Sequence, residues 1–282
     1  MKMTMKNRWT SGYLWDYAVL TSCVVCASLS FCGFAAAQGN SSFSSYVVRS
    51  LVSAERLEKE ATLQYEFIKK AAQKDGKLAP PESTQLTLIR EISKKIISQA
   101  VRLNVRAARW DWEVNLIATK EANAFCMPGG KIIVFTGLIN SLHLNVDELA
   151  VVIGHEVAHA VLEHTRDQLG KEALVNTLGG LASSFFGMGN LGEAIWGGGA
   201  TLASLKFSRD DEYEADAFGL EIAARSGYDP RAAFTLFKKL QIGNSRIMAN
   251  WLSTHPANEK RIVQMEKIIT ETLPFYQAFS QK

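Results

Sequence analysis

The sequence is poor in cysteine, with only four among its 282 residues. Three of them, Cys23, Cys26 and Cys32, fall in an apolar stretch near the N-terminus. Because that stretch resembles an export signal, its Cys-x-x-Cys spacing does not predict a metal or redox motif. Outside it only Cys126 remains, and one thiol cannot form an internal disulfide. A disulfide-stapled fold is therefore excluded.

The sequence also lacks a strong excess of charge of either sign. The formal net charge is +3, and three basic residues, Lys2, Lys6 and Arg8, lie within the first eight positions. The rest of the chain is close to neutral, so there is no electrostatic basis for binding nucleic acid, and we exclude that class of partner. Hydrophobic residues make up 47% of the chain, which is ample for a core.

The N-terminus has the three parts of an export signal. Basic residues at 2–8 precede an apolar run at 18–34, and three alanines at 35–37 form a small-residue cleavage site. We predict a signal peptide at residues 1–37, secretion across the inner membrane and a periplasmic, membrane-associated protein. An uncleaved anchor is the alternative, because the run approaches the length of a short spanning helix. Lipidation at Cys23 or Cys32 is less favoured.

The remaining sequence predicts a mostly helical α+β protein with a small sheet and without internal repeats. Residues 38–80 are interpreted as an N-terminal leader and helix, and residues 81–282 as the main domain. Alternating apolar residues predict a strand over 110–119, and a second strand at 131–135 follows a Pro-Gly-Gly turn. Helices are predicted at 47–74, from an N-cap at Ser83 to about 110, from a capping box at Asn145 and Glu148 to about 163, from Ser208 to Gly227, from Pro230, and after Pro256.

The strongest chemical signal is the sequence His155-Glu156-Val157-Ala158-His159. Residues four apart share a helix face, so both imidazoles can reach one metal ion while Glu156 lies beside it as a base. A chance occurrence on a polar surface helix is the alternative. Here the motif is embedded in an apolar stretch, where two histidines and a glutamate are costly to bury without a partner. A catalytic zinc ion is the simplest such partner.

A catalytic zinc site needs a third protein ligand. The acidic segment after Ser208 offers Glu212 and Asp216, which are four residues apart and share a helix face, whereas Glu214 points elsewhere. One carboxylate could bind zinc while the other accepts a hydrogen bond from a ligand imidazole. By itself the segment is equally typical of a solvated helix N-terminus, which favours acidic residues.

Four blocks of the sequence resemble the zinc metallopeptidase family that includes the CAAX prenyl protease, HtpX, bacterial periplasmic members and the mitochondrial Oma-type protease. They are Asn123-Ala124-Phe125 with Pro128-Gly129-Gly130, the His155 to His159 motif, Ser208-Arg209 through Glu212 to Asp216, and Ser253-Thr254-His255-Pro256. Together they extend over nearly all of residues 110–262. This chain departs from the family pattern at Cys126, where a small or inert residue is expected.

The resemblance implies a zincin-like (gluzincin) metalloprotease domain with one zinc ion per chain. It makes Glu212 the third ligand and Asp216 the support of a ligand histidine. It also implies that the strand Lys131, Ile132, Ile133, Val134 and Phe135 pairs with extended substrate.

His255 has two functional interpretations and one structural alternative. It either stabilises the tetrahedral oxyanion or approaches zinc as a fourth ligand in a latent state, and the alternative is a loop histidine that caps the next helix. His143 and His164 are interpreted as structural or surface residues, since neither shares the ligand face. The apolar, glycine-rich segment 174–205 is interpreted as a core hairpin, or else as a lid or membrane-touching loop.

These observations predict a zinc metalloendopeptidase of the cell envelope, with Glu156 as general base and then acid. The resemblance implies misfolded, misassembled or membrane-associated polypeptides as substrates, and the membrane or outer-membrane assembly machinery as a candidate partner. The alternative is a chaperone-like or scaffolding envelope protein with a latent zinc site. The oligomeric state stays open.

Overall fold

A computed structural model of the protein describes residues 41–178, 202–242, 248–256 and 259–281. Its contacts divide the chain into two units, Met1–Val47 and Val48–Lys282. The predicted signal peptide at 1–37 lies outside the described residues, as does most of the segment 174–205. Within the described ranges, no helix combines the length and the apolar character needed to span a membrane.

The first three helices differ from the prediction in their bounds, and the first starts at Ser41, before the predicted start at 47. Helix α1 covers Ser41–Ser50 and helix α2 covers Ala54–Lys74, so the predicted helix 47–74 is interrupted. The break occurs because the Ser53 side chain accepts a hydrogen bond from the backbone of Arg56 and starts a new helix. Helix α3, Thr84–Ala100, has the predicted N-cap at Ser83 but ends before 110.

The sheet has three strands, β1 (Glu113–Ile117), β2 (Ala124–Met127) and β3 (Lys131–Phe135), in the order β1-β3-β2. Strand β3 pairs in parallel with β1 and antiparallel with β2. Both sides of β3 are thus occupied, and the expectation that Lys131, Ile132, Ile133, Val134 and Phe135 pair with substrate is wrong. The edge strand that packs against the His155 to His159 motif is β2, which the sequence analysis did not assign as a strand, and no further strand pairs with its outer edge among the described residues.

The sheet separates two apolar clusters, as the alternation of side chains along a strand requires. Ile132 and Val134 join the larger cluster with residues of α3, while Ile133 faces a smaller cluster around Leu57 and Tyr65 of α2. Helix α2 therefore packs on the opposite face of the sheet from the main core.

The remaining helices build the main core around one central helix. After the short helix α4 (Thr136–Leu142), helix α5 (Val146–Val161) starts with the predicted capping box of Asn145 and Glu148. Every residue of α5 from Glu148 to Val161 is buried. Around it, in chain order, come α6 (His164–Leu178), α7 (Arg209–Arg225), α8 (Ala232–Ile242), α9 (Ala249–Thr254) and α10 (Glu259–Ser280).

Helix α7 begins and ends as predicted. Ser208 and Asp211 form a capping box at its N-terminus, and Gly227 follows its C-terminus with φ +88°, a left-handed conformation that glycine adopts without strain. The predicted helix boundaries that rest on cap chemistry are thus confirmed.

Candidate metal centre

The central helix α5 presents two imidazoles to the same point. His155 and His159 are one helical turn apart and buried, and their Nε2 atoms lie 3.0 Å from each other. This is the geometry that the His-Glu-x-x-His spacing predicts for two ligands of one ion.

Helix α7 crosses α5 so closely that backbone meets backbone. A Cβ atom on Gly219 would lie 2.7 Å from the Cα of His155, and one on Gly154 would lie 2.5 Å from the carbonyl oxygen of Gly219. The two backbones can approach this closely because both positions are glycine and neither carries a Cβ atom. As a result the Glu212 carboxylate reaches to 3.4 Å from Nε2 of His159 and 3.6 Å from Nε2 of His155.

His255, which follows α9, contributes a fourth donor. Its Nδ1 lies 2.9 Å from Oε1 of Glu212 and 3.2 Å from Nε2 of His155. The donor atoms of His155, His159, Glu212 and His255 all lie within 4.8 Å of one another, and all four residues are buried. We refer to these four residues as the donor cluster. The structure thus brings together the residues that the sequence analysis singled out.

The spacing within the donor cluster fits a tetrahedral metal ion. Four ligands at the usual zinc distances would lie about 3.3 Å from one another. Five of the six separations run from 2.9 to 3.6 Å, on either side of that value, and the sixth, between His159 and His255, is within 4.8 Å.

The protonation pattern of the imidazoles also calls for a cation. Nδ1 of His155 lies 3.1 Å from Oδ1 of Asp216, where it donates to that carboxylate. In the neutral form of His155, which a metal ligand requires, Nε2 then carries a lone pair that points at the donor cluster beside the Glu212 carboxylate. Lone pairs and a carboxylate that converge in a buried site repel one another unless a positive ion lies between them.

Arg261 of α10 closes the site on the side of α7. It is buried, and it lies 2.5 Å from Glu212 while it also donates to both oxygens of Asp216. A third interaction, 3.2 Å to the carbonyl oxygen of Pro256, ties it to the loop that carries His255. One guanidinium thus connects the acidic donor, its neighbouring carboxylate and the His255 loop.

Glu156 points into the same space without being one of the four donors. It is buried, its Oε1 accepts no hydrogen bond within the described part of the chain, and this atom lies 3.5 Å from Nε2 of His255. A buried carboxylate oxygen without a hydrogen-bond donor is available to a water molecule or a substrate proton.

Residues 87–269, more than half of the chain, match the family model described as peptidase family M48. The chain belongs to peptidase family M48.

Individual M48 relatives support the same assignment. The chain is 40% identical over 168 residues to the mitochondrial metalloendopeptidase OMA1 of Arabidopsis thaliana, covering 58% of this chain and 33% of that protein. It is 28% identical over 191 residues to the beta-barrel assembly-enhancing protease of Yersinia pestis, covering 63% and 38%. It is 29% identical over 175 residues to the metalloprotease LoiP of Escherichia coli, covering 61% and 68%. The matched region is thus about a third of the OMA1 protein.

Burial and charge shift the pKa values in this M48 site in opposite directions. Burial lowers the pKa of His155, but the hydrogen bond to Asp216 and nearby carboxylates outweigh it and leave that pKa raised. Burial lowers the pKa of His159 well below its usual range, and burial raises the pKa of Glu156. For Asp216, burial raises the pKa, but the charge of Arg261 and the hydrogen bonds from His155 and Arg261 together outweigh burial, and the pKa is lowered. The donor histidine His159 is therefore neutral at neutral pH, as a metal ligand must be.

Three residues that touch the site were missed or misread from the sequence. Arg261 carried no motif signal, and neither did Phe207, whose ring stacks on that of His159 with centroids 3.8 Å apart. His164 was interpreted as a structural or surface residue; it is buried rather than at the surface, and its Nδ1 lies 2.9 Å from Nδ1 of the ligand candidate His159. His143 has the structural role that was one of its two expected interpretations, because it ends α4 in the left-handed conformation.

Proposed function

We propose that this chain is a zinc-dependent endopeptidase that holds one zinc ion on His155, His159 and Glu212. The observation that carries the proposal is the convergence of these three buried donors beside the unbonded carboxylate oxygen of Glu156. Zinc at this point would supply a Lewis acid for the scissile carbonyl and lower the pKa of a water molecule. The endopeptidase names of the M48 relatives agree with this assignment.

Glu156 is the proton carrier in this proposal. Its buried carboxylate has a raised pKa, caused mainly by burial. A carboxylate of that kind can take a proton from the attacking water and give it to the leaving amine, because its pKa lies nearer the working pH. Oε2 of Glu212 also lacks a hydrogen-bond donor by strict geometry, but Glu212 is a zinc ligand in this proposal and its Oε2 is paired with Arg261.

His255 acts in this proposal as a fourth donor that closes the site. Catalytic zinc sites keep one position open, whereas four protein donors are typical of closed sites. Nδ1 of His255 lies as close to Glu212 and His155 as those donors lie to each other. The arrangement supports the latent-ligand interpretation over the oxyanion one, and it requires His255 to move away before water and substrate can enter.

The substrate backbone is assigned to the free edge of β2 rather than to β3. Phe125 lies opposite Ile133 in the antiparallel pair, and the backbone of Asn123 bonds that of Phe135. The backbone groups of Ala124 and Cys126 therefore point outward, since these groups alternate along a strand. A cavity beside His159 is bordered by Pro128, the residue after β2, so an added strand would lead to the donor cluster.

The natural substrates are proposed to be misfolded, misassembled or membrane-associated proteins of the cell envelope. Support comes from the export-signal pattern of residues 1–37 and from the similarity to a relative named for enhancing β-barrel assembly. The membrane or outer-membrane assembly machinery is the proposed partner. A periplasmic, membrane-associated location follows from the same two observations.

A chaperone-like or scaffolding envelope protein is the second candidate function. One observation favours it: the donor cluster is closed by His255, so the site as it stands has no open position. In that case zinc would stabilise the fold without reacting.

The decisive experiment compares the parent with Glu156→Gln, using Glu221→Gln on the partly exposed side of α7 as the matched control. We expect about one zinc per chain in all three by metal analysis, and casein digestion that a chelator abolishes. Glu156→Gln should keep its zinc and lose about 100-fold or more of the activity. Undiminished digestion by this variant would overturn the assignment of Glu156, and a metal-free parent would overturn the zinc site. If Glu156→Gln still restored function to cells that lack the protein, the scaffold would be favoured.

A further inference from the structure

Behind His159, on the side away from the donor cluster, lies a second imidazole and then a carboxylate. Nδ1 of His164 is 2.9 Å from Nδ1 of His159, and Nε2 of His164 is 3.3 Å from Oε2 of Glu214. The His164 side chain is 1% exposed, whereas that of Glu214 is 34% exposed. The three residues form a continuous path from the donor cluster to the surface of α7.

A tight turn places His164 at this position. Helix α5 ends at Val161 and helix α6 starts at His164, with Glu163 between them in the left-handed region at φ +60°. A residue other than glycine is strained there. Arg166 donates two hydrogen bonds to the Glu163 carboxylate at 3.1 and 3.3 Å, which hold the turn. The chain thus reverses within a few residues and returns an imidazole to the ring of His159.

The direction of these hydrogen bonds follows from the carboxylate at the outer end. Glu214 is a partly exposed carboxylate 3.3 Å from His164, and an ionised carboxylate can only accept hydrogen bonds. Nε2 of His164 must then donate, which leaves its Nδ1 as an acceptor. That acceptor fixes the proton of His159 on Nδ1, so that Nε2 presents its lone pair to the donor cluster.

We propose that His164 and Glu214 are positioning residues that hold His159 in its metal-binding tautomer and ring orientation. This inference rests on the zinc site proposed above. It gives each ligand histidine its own outer partner: Asp216 bonds His155 directly, and Glu214 supports His159 through one intervening imidazole. Partners of this kind fix the tautomer and raise the basicity of a ligand imidazole.

An imidazole between His159 and Glu214 has a physical advantage over a carboxylate that contacts His159 directly. Glu156, Glu212 and Asp216 already place three carboxyl groups in the buried site, and Arg261 is the basic side chain that contacts two of them among the described residues. A further buried carboxylate would carry a large desolvation cost. With His164 in between, the charge of Glu214 stays near solvent, where its desolvation cost is small.

The test is the affinity for Zn²⁺ of the full chain, measured by competition with a zinc-binding dye at fixed pH. His164→Leu removes the acceptor for His159 and should weaken zinc binding by about 10- to 100-fold. His164→Asn places an oxygen near the former Nδ1 and should recover part of that loss. Glu214→Gln, which leaves the buried packing unchanged, should weaken binding by a smaller factor. His143→Asn is the matched control and should bind like the parent.

Thermal unfolding of the metal-free forms separates positioning from simple structural damage. We expect His164→Asn and Glu214→Gln to unfold within a few degrees of the parent while their zinc affinities differ. If His164→Leu does not fold, these two variants still decide. The inference is overturned if Glu214→Gln and His164→Asn both bind zinc as the parent does, or if His164→Asn binds no better than a folded His164→Leu. A parent that binds no zinc would overturn this inference and the proposed function together, whereas a zinc-binding parent with unaffected variants would overturn this inference alone.

Discussion

Arg261 holds Asp216 by both carboxylate oxygens, with two hydrogen bonds of 2.7 Å each between groups that are almost fully buried. Because the remaining guanidinium nitrogen contacts Glu212, the positive charge is shared between a proposed ligand and the partner of another ligand. Burial lowers the pKa of Arg261, but the charge of Asp216, the hydrogen bonds to Asp216 and the charge of Glu212 together outweigh burial, and the pKa is raised.

Replacement of Arg261 should destabilise the fold even without metal. Arg261→Leu leaves two buried carboxylates without their cation and should lower the free energy of unfolding by about 3–5 kcal/mol. Arg261→Lys keeps a charge but loses the paired hydrogen bonds, so its loss should be smaller. Denaturant unfolding of chelator-treated protein measures both. Arg231→Lys, at an exposed ion pair with Asp229, is the control and should cost less than about 1 kcal/mol. A metal-free Arg261→Leu as stable as the parent would contradict the assignment.

Removal of the fourth donor, His255, should lower the affinity for zinc and raise the peptidase activity. His255→Ala deletes the Nδ1 that closes the donor cluster, so zinc affinity should fall while cleavage of a short peptide rises. If nine-tenths of the molecules hold His255 against the other donors, the gain is about tenfold. Zinc competition and initial rates at saturating zinc check the two effects, with His143→Asn as control. Slower cleavage with unchanged zinc affinity would instead assign His255 to the oxyanion.

Addition of one methyl group where α5 and α7 cross should destabilise the fold. Gly219→Ala would place its Cβ 2.7 Å from both the Cα and the backbone nitrogen of His155, so the helices must move apart. Overpacking of this kind costs about 1–3 kcal/mol, although alanine is ordinarily the better helix former. Zinc affinity should fall as well, because α7 carries Glu212. Glu221→Ala on the same helix should change the free energy of unfolding by less than about 0.5 kcal/mol. If Gly219→Ala were as stable as the parent, the helix crossing would have room for a methyl group and this prediction would be wrong.

Acid should reduce the contribution of Glu148 to stability. Burial raises the pKa of this group, but hydrogen bonds from Lys239, the Asn145 backbone and Thr235 outweigh it and leave the pKa lowered. A lowered folded-state pKa stabilises the fold above the ordinary glutamate range, and this stabilisation is lost as the pH falls through the folded-state pKa. Glu148→Gln should therefore cost about 2 kcal/mol at neutral pH and less below about pH 4.

The measurement is denaturant unfolding of the metal-free parent and Glu148→Gln across this pH range. Metal-free protein is used so that acid-driven loss of zinc does not contribute. The control variant Glu221→Gln, at a partly exposed position, should show no comparable pH trend. A gap between parent and Glu148→Gln that stays constant down to pH 3 would contradict the expected sign.

Local chemistry made part of this structure predictable. Ser83, Asn145 and Ser208 were identified as helix N-caps because their side chains bond the backbone a few residues ahead, a relation that the sequence displays directly. The spacing of His155 and His159 is local in the same sense. Glu212 was placed with help from the family resemblance, and the crossing at Gly154 and Gly219 shows how it reaches the site.

Features that depend on contacts between distant residues could not be predicted from the local sequence pattern. Strand β2 is short and buried throughout, so it has no alternation of polar and apolar residues, and the central strand β3 was taken for an edge. Helix α3 ends early because the chain beyond it turns at Asn104, whose side chain bonds the backbone of Val161 far along the sequence. Arg261 and His164 meet the donor cluster only through the packing of α10 and the turn after α5.

Since α5 has no exposed residue between Glu148 and Val161, this helix offers no position at which substrate preference could be altered without disturbing the core. Redesign for other substrates should therefore leave α5 and the equally buried β2 intact and vary exposed positions of the short helix α9, such as Ala249 and Ser253. In a random library that includes α5, most variants would not fold.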